Sequence, residues 1–213
     1  MGISLTQNLD RLVDGLADQG YAIIDNFLSP EEVDAILQLD EFNGELLQFQ
    51  KAGIGKKADK QINESIRGDY IQWINPATAV PAIQAYLIKL NDLIKHVNQT
   101  LFLSLKDCEV HMTVYPVGSY YHRHLDQFRG NGNRKFTFIL YLNFDWQPSH
   151  GGCLRMYLPQ GDTEIAMDIA PQAGRLVCFK SDAIPHEVLP THALRYSITG
   201  WWLEREKQLS FLG

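Results

Sequence analysis

Two histidines and one aspartate are spaced so that they could hold a metal ion. His124 and Asp126 stand two residues apart, and His186 lies far downstream. Two imidazoles and one carboxylate on one face of a metal leave the opposite face open, which is the ligand arrangement of non-haem Fe(II) oxygenases. The residue types therefore predict an iron site with room for further bound molecules.

Arg195 follows His186 in a segment, residues 194–203, that reads as a buried strand. Residues two apart in a strand share a face, and one face here carries Arg195, Ser197, Thr199 and Trp201. A buried arginine needs an anionic partner because an unpaired buried charge is costly. Its planar guanidinium fits a carboxylate through two parallel hydrogen bonds. An organic acid bound beside the metal would supply that partner.

The other histidines are weaker candidates. A His-x-Asp triplet alone is a weak signal because short motifs occur often by chance, and the presence of His186 and Arg195 strengthens it. His122 is the main competitor, since it shares a face with His124 if the strand is regular. His192 ranks below His186. The remaining histidines are interpreted as structural or surface residues: His96, His111 and His150.

Composition limits the function classes. A length of 213 residues with 45% hydrophobic residues suits one domain, residues 1–213. The net charge of −6 disfavours nucleic acid as a partner because no basic stripe is present. The three cysteines indicate neither a disulfide framework nor a zinc site. The sequence contains no apolar run long enough to span a bilayer and no secretory signal, so we expect a cytoplasmic protein with no membrane partner. Nothing in the sequence predicts its oligomeric state.

The elements that would position these residues are helical at first and then β. Apolar periodicity predicts a helix from Leu5 and a long amphipathic helix from residue 81 to about 103. Residues 20–28 are predicted to form a strand, and Ser29-Pro-Glu-Glu32 is typical of a capped helix start. Apolar runs separated by turns follow at 110–116, 135–144, 153–158, 164–169, 176–179 and 194–203. This spacing is typical of a sandwich or a jelly roll.

Several ordered motifs carry a resemblance to a known family. They are YPVGSYYHRHLD at 115–126, ILYLN at 139–143, GGCLR at 151–155, PHEV at 185–188 and RYSIT at 195–199, with GYAIIDNFL at 20–28 and IRGDYIQWI at 66–74 upstream. Together they resemble the Fe(II)- and 2-oxoglutarate-dependent prolyl hydroxylase domain family, which includes the hypoxia-inducible-factor prolyl hydroxylases and bacterial relatives. The resemblance covers nearly the whole chain.

The resemblance implies a role for each matching residue. Iron would be bound by His124, Asp126 and His186, and the distal carboxylate of 2-oxoglutarate by Arg195 and the Tyr141 hydroxyl. Tyr115 and Thr199 would line that pocket, whereas Arg67 and Trp201 would lie near a peptide groove. With O2 as second cosubstrate and ascorbate as an optional supporting reductant, the implied reaction hydroxylates a proline in a protein or peptide and releases succinate and CO2.

The resemblance also implies the fold. It is an α+β, mainly β, double-stranded β-helix of jelly-roll or cupin-like type, with N-terminal and supporting helices on one sheet. The lysine- and glycine-rich segment 51–66 would close on the peptide; read from the residues alone, it is equally a solvated loop. His122 departs from the apolar residue expected in the animal oxygen sensors, which bears on substrate choice.

Two alternatives stay open. A 2-oxoglutarate oxygenase acting on another residue or on a small molecule would keep every ligand and differ only in its groove. A non-catalytic, cupin-like metal-binding or sensor module would need neither Arg195 nor an open position on the metal.

Overall fold

The computed structural model describes residues 5–43, 49–52, 66–127 and 133–204. The helices within these ranges are α1 (Leu5–Asp18), α2 (Pro30–Leu37), α3 (Asp40–Asn43) and α4 (Pro81–Leu101). The strands are β1 (Tyr21–Ile24), β2 (Gln50–Lys51), β3 (Tyr70–Trp73), β4 (Leu105–Tyr115), β5 (Tyr121–His124), β6 (Arg134–Tyr141), β7 (Leu154–Gln160), β8 (Thr163–Ile169), β9 (Leu176–Lys180), β10 (His186–Val188) and β11 (Arg195–Glu204).

Strands β4 to β11 are distributed between two facing sheets. The larger sheet has the order β1-β9-β6-β11-β4-β3-β2, and the smaller one has the order β5-β10-β7-β8. Neighbouring strands within each sheet are antiparallel. The chain therefore crosses repeatedly from one sheet to the other, as in a jelly roll, and the prediction of a mainly β, double-stranded β-helix fold is confirmed.

The helices cover the outer face of the larger sheet. One apolar cluster joins α1, α2 and α4 to the outward residues of the sheet, among them Val114, Phe138, Ile198 and Trp202. Helix α2 begins with a capping box, in which the Ser29 side chain accepts from the backbone N–H of Glu32 and the Glu32 carboxylate accepts from that of Ser29. Among the described helices, none combines the length and apolar character needed to cross a membrane.

A second apolar cluster lies between the two sheets. The larger sheet contributes Ile139 and Val177, and the smaller sheet contributes Leu154 and Met156. This cluster fills one part of the space between the sheets. The polar residues described below occupy the remainder of that inner face.

Two predicted elements end earlier than the sequence pattern indicated. Strand β1 ends at Ile24 because Asn26 has a φ of 56° and the chain then turns, with Phe27 N–H donating to Gly174 O at 2.8 Å. Helix α4 ends at Leu101 because Phe102 takes a left-handed conformation, with a φ of 53°. The remaining predicted strands agree with the structure to within a few residues.

Candidate metal centre and acid-binding pocket

Three side chains from the smaller sheet converge between the sheets. His124 is the last residue of β5, Asp126 lies in the bend that follows, and His186 is the first residue of β10. One ligand atom from each lies within 4.8 Å of the others. His186 and Asp126 are buried, and His124 is partly exposed. The three predicted ligands are thus brought together in a cluster that could hold one metal ion.

The pairing of β5 with β10 determines which histidine faces inward. His124 lies opposite His186 and Tyr121 lies opposite Val188, so the register shifts by one residue between these pairs. Such a shift re-aims side chains along the strand. Tyr121 consequently shares a face with His124, while His122 is exposed. The expectation that a regular strand would align His122 with His124 therefore does not hold, and Asp126 lies beyond the end of the strand.

Backbone carbonyl groups orient both imidazoles. Nδ1 of His124 lies 2.7 Å from the carbonyl oxygen of His122, and Nδ1 of His186 lies 3.1 Å from that of Ile184. Because a carbonyl oxygen only accepts, Nδ1 carries the proton in each ring, and the Nε2 lone pair is free to bind a metal. Burial lowers the pKa of His186 to about 4, which keeps this ring neutral at pH 7.

The carboxylate of Asp126 is held on both sides. Its oxygens lie 3.3 Å from Nε2 of His124 and 3.5 Å from Nε2 of His186. Thr137 Oγ1 donates to Asp126 Oδ2 at 2.7 Å and lies 2.9 Å from Ser181 Oγ. Burial raises the pKa of Asp126, but the positive charge that the adjacent imidazoles carry when protonated and the hydrogen bond from Thr137 outweigh burial and hold the pKa well below its usual range. The carboxylate is therefore ionised, as a metal ligand must be.

Arg195 is buried and has no anionic partner among the described residues. It is 1% exposed at the start of β11, and its Nε donates to Gly152 O at 2.9 Å. Its guanidinium carbon lies 4.8 Å from the ring centre of Tyr115 and 5.1 Å from that of Tyr141. Across the described ranges, no carboxylate forms an ion pair with it. Gly152 has a φ of +62°, and a Cβ there would lie 3.2 Å from Arg195 Cδ, so a glycine suits this approach.

Two hydroxyl groups beside Arg195 also have no hydrogen-bond partner in the part of the chain that the structure describes. Tyr141 Oη and Ser197 Oγ are buried and unpaired, and these residues lie opposite each other on β6 and β11. Burial raises the pKa of Tyr141 to about 12, so its hydroxyl keeps its proton as a donor. A fixed cation beside unpaired hydroxyls suits an organic carboxylate. The pocket therefore fits the distal carboxylate of 2-oxoglutarate, and the His-Asp-His cluster fits Fe(II).

The other predicted pocket and groove residues lie on the same side of the larger sheet. Thr199 shares the inner face of β11 with Arg195, opposite Ile139 and His111. Further along β11, Trp201 packs at a 5.4 Å centroid distance from His111 and 6.3 Å from Trp73, which is 53% exposed. An aromatic surface therefore leads from solvent towards the interior.

Arg67 lies beside the metal cluster. It forms two hydrogen bonds with the buried Asp69, at 2.7 and 2.6 Å, and its guanidinium lies 4.2 Å from the ring centre of Tyr121. Of the predicted closing segment 51–66, residues 53–65 lie outside the described residues.

The remaining histidines lie away from the cluster. His111 is buried on β4, where its Nδ1 lies 2.9 Å from Thr113 Oγ1, and burial lowers its pKa to about 4. The others have surroundings of their own: His96 near Asp10, His122 against Tyr120, His150 against Trp146, and His192 exposed in a loop.

Sequence reasoning missed several residues around the cluster. Thr137 could have been found, because it is a polar residue in an apolar run and shares a strand face with Tyr141. Ser181, which follows β9, had no comparable signal, and neither did the stacking of Tyr121 on His124 at a 3.6 Å centroid distance. Both contacts bring together segments that are distant in sequence or shifted in register.

Comparison with known sequences identifies clear relatives. The model of the 2OG-Fe(II) oxygenase superfamily matches residues 110–203. Mouse prolyl hydroxylase EGLN3 is 34% identical over 209 residues, which cover 94% of this chain and 85% of that protein. Human Egl nine homolog 1 is also 34% identical, over 94% of this chain, but the chain spans only 47% of its length.

Two solved structures have nearly the same fold. A prolyl-4-hydroxylase from Pseudomonas putida superposes with a TM-score of 0.82 at 40% identity and covers 93% of this chain and 100% of its own. A prolyl hydroxylase from Trichoplax adhaerens, in complex with a peptide fragment of the hypoxia inducible factor oxygen degradation domain, has a TM-score of 0.82 at 30% identity. It covers 94% of this chain and 90% of its own.

Proposed function

This chain belongs to the Fe(II)- and 2-oxoglutarate-dependent prolyl hydroxylases of the 2OG-Fe(II) oxygenase superfamily, and we propose that it hydroxylates a prolyl residue in a protein. Fe(II), 2-oxoglutarate and O2 are its cofactor and cosubstrates, and succinate and CO2 are the coproducts. The proposal rests above all on one observation. A cluster that could hold a metal ion and a buried arginine with no acidic partner in the described ranges share the inner surface between the same two sheets.

The inner face of β6 connects the two halves of this site. Thr137 holds Asp126 at one end of the face, and Tyr141 lies beside Arg195 at the other. Four strand residues span about 13 Å, and the side chains of Asp126 and Arg195 reach inward from these ends. We propose that a short dicarboxylic acid binds along this face, with one end at the metal and the other end paired with Arg195.

Each residue would have a distinct part in the reaction. His124, Asp126 and His186 would hold the iron, with the backbone carbonyls of residues 122 and 184 fixing the two rings. Arg195 and Tyr141 would orient 2-oxoglutarate through its distal carboxylate, and Tyr115 and Thr199 would line its pocket. Once loaded, the iron centre supplies the oxidising chemistry that converts 2-oxoglutarate to succinate and CO2 and places oxygen on the substrate.

The exposed aromatic surface is the proposed peptide groove. Trp73 and Trp201 would flank the substrate, with Arg67 on the side of the metal cluster. The Trichoplax relative, which was solved with a peptide fragment, supports a peptide as the substrate class. The closing role of 51–66 stays a prediction.

Two broader assignments accompany this proposal. We propose that residues 1–213 act as one catalytic domain, which is supported by relatives that match 94% of the chain. We also propose a cytoplasmic location. Cys108, Cys153 and Cys178 are all free thiols, which favours a reducing compartment.

The test is to identify the modified residue directly. Purified protein is given Fe(II), 2-oxoglutarate and O2 with lysate from its own organism, and new oxygen atoms are mapped on peptides by mass spectrometry while succinate is measured. A hydroxyproline that requires the protein, disappears with His124→Ala and persists with His192→Ala, a change at an exposed histidine outside the cluster, is the expected result.

The other outcomes separate the alternatives. Succinate together with oxygen on another residue or on a small molecule would keep the oxygenase and replace the prolyl assignment. Metal binding without succinate above the His124→Ala background would favour a non-catalytic binding module.

A further inference from the structure

Three flat groups stack in a column that ends at the metal cluster. The guanidinium of Arg67 lies 4.2 Å from the ring centre of Tyr121. On the other side, the Tyr121 ring is stacked on the imidazole of His124, with 3.6 Å between centroids and 18° between planes. We call the three groups the Arg67 column. A planar cation over a tyrosine ring and parallel aromatic rings are both attractive contacts, so the column defines the plane of His124.

The outer end of the column is fixed by a buried ion pair and by backbone pairing. Asp69, whose side chain is fully buried, accepts two hydrogen bonds from Arg67. The backbone N–H of Gly68 donates to Tyr120 O, and that of His122 donates to Ile66 O, both at 2.9 Å. The segment 66–69 is therefore paired along the outer edge of β5 and cannot move independently of it.

His124 needs such support more than His186 does. His186 is buried, and the ring of Phe179 packs against it at a 4.6 Å centroid distance. His124 lies on the outer strand of the smaller sheet with a partly exposed side chain. Its hydrogen bond to the carbonyl of residue 122 fixes one ring nitrogen but leaves the tilt of the ring free. Stacking on Tyr121 removes that remaining freedom.

From this geometry we infer that Tyr121 and Arg67 are positioning residues for the metal ligand His124, and that the segment 66–69 is mechanically linked to the metal centre through them. This inference rests on the proposed function, because it assigns His124 to the metal. Its consequence is that a displacement of Arg67, on the side proposed for the peptide, changes the plane of a metal ligand. Peptide binding and metal geometry would then be coupled through side-chain stacking.

The chain contains a matched control on the opposite face of β5. Arg123, next to His124, also lies over a tyrosine ring, at 3.9 Å from the centre of Tyr157, and also pairs with a carboxylate, that of Glu164. Its surroundings are exposed, and this second arginine–tyrosine stack does not contact the metal cluster. Equivalent substitutions in the two stacks therefore differ in their connection to the metal site and in burial, since the Arg67–Asp69 pair is buried and the Arg123–Glu164 pair is exposed.

The experiment measures metal binding by the full-length chain, independent of turnover. Mn(II) dissociation constants are determined by electron paramagnetic resonance of the free ion, and the visible spectrum of the Co(II) form reports ligand geometry. Tyr121→Leu is expected to weaken Mn(II) binding about tenfold or more, which is typical for loss of a group that orients a metal ligand. Arg67→Lys is expected to weaken Mn(II) binding less than Tyr121→Leu does. The Co(II) spectrum should shift in both Tyr121→Leu and Arg67→Lys.

The control variants should behave like the wild type. Tyr121→Phe keeps the stacked ring, and Arg123→Lys alters only the outer stack, whereas Tyr157→Leu also removes the hydrogen bond from the Tyr157 hydroxyl to Glu187. Unchanged affinity and an unchanged Co(II) spectrum in Tyr121→Leu and Arg67→Lys would overturn the inference, as would equal losses in the outer-stack variants. If either of these results is found while the wild type binds Mn(II) and releases succinate, the inference fails and the proposed function stands. If the wild type binds no metal, both fail.

Discussion

Arg67 and Arg195 are two largely buried arginines beside tyrosine rings, and they differ in what neutralises them. Arg67 has a carboxylate built into the chain, because Asp69 accepts two hydrogen bonds from it. Among the described residues, Arg195 has the carbonyl of Gly152 and two aromatic rings beside it, and no carboxylate. A buried charge that lacks a partner is costly. Arg67 therefore belongs to the architecture of the site, whereas Arg195 leaves a cation for which we propose an anion from outside.

Removing the built-in partner should have the largest effect on stability. Asp69→Ala leaves Arg67 unpaired, and we expect the free energy of unfolding to fall by about 3 kcal/mol. Urea unfolding measures this as a lower midpoint with an unchanged slope. Asp92→Ala is the control, because the Asp92–Lys95 pair is exposed on both sides and its loss should cost less than about 1 kcal/mol. Equal losses of stability in Asp69→Ala and Asp92→Ala would contradict the structural role of the buried Arg67–Asp69 pair.

Removing Arg195 should weaken 2-oxoglutarate binding without lowering the stability of the protein. Arg195→Met keeps much of the side-chain volume and removes a charge that nothing in the described chain neutralises, so the apo protein should be at least as stable as the wild type. Affinity for 2-oxoglutarate should fall by about 2–5 kcal/mol, because a buried charge-assisted contact is lost. Thermal unfolding with Mn(II) present measures the stability without 2-oxoglutarate, and the rise in melting temperature on adding 2-oxoglutarate measures its affinity. Retained stabilisation by 2-oxoglutarate in the variant would show that the anion binds elsewhere.

The smallest effect is expected at the hydroxyl beside Arg195. Tyr141→Phe removes a buried donor that has no hydrogen-bond partner within the described ranges, so the stability of the protein without 2-oxoglutarate should be unchanged or slightly higher. The KM for 2-oxoglutarate should rise by the equivalent of about 0.5–1.5 kcal/mol, the usual contribution of one hydrogen bond. Succinate release at several 2-oxoglutarate concentrations provides the measurement. An unchanged KM would remove Tyr141 from the acid-binding pocket.

The parts of the molecule that depend on residue type and local spacing could be predicted. The jelly-roll strands follow from apolar runs separated by turns, and the cluster of His124, Asp126 and His186 follows from ligand chemistry. The direction of Arg195 follows from strand alternation. In each case a few neighbouring residues carry the information.

The parts that depend on pairing between distant segments could not be predicted. The register shift between β5 and β10 decides that Tyr121, not His122, shares a face with His124. Its cause lies in how two segments of distant sequence meet. The early end of β1 at Ile24 likewise depends on contacts with Gly174, far along the chain.

The carbonyl oxygens that orient His124 and His186 also bear on how this protein can vary. Every amino acid carries such an oxygen, so a point mutation at residue 122 or 184 changes a side chain and leaves the acceptor in place. The orientation of both rings is encoded in the path of the backbone, not in the identity of a neighbour. Insertions or deletions between residues 122 and 124, or between 184 and 186, would destroy it, whereas amino-acid replacements at 122 and 184 keep the acceptor and are limited by other contacts, such as the burial of Ile184 in the cluster between the sheets.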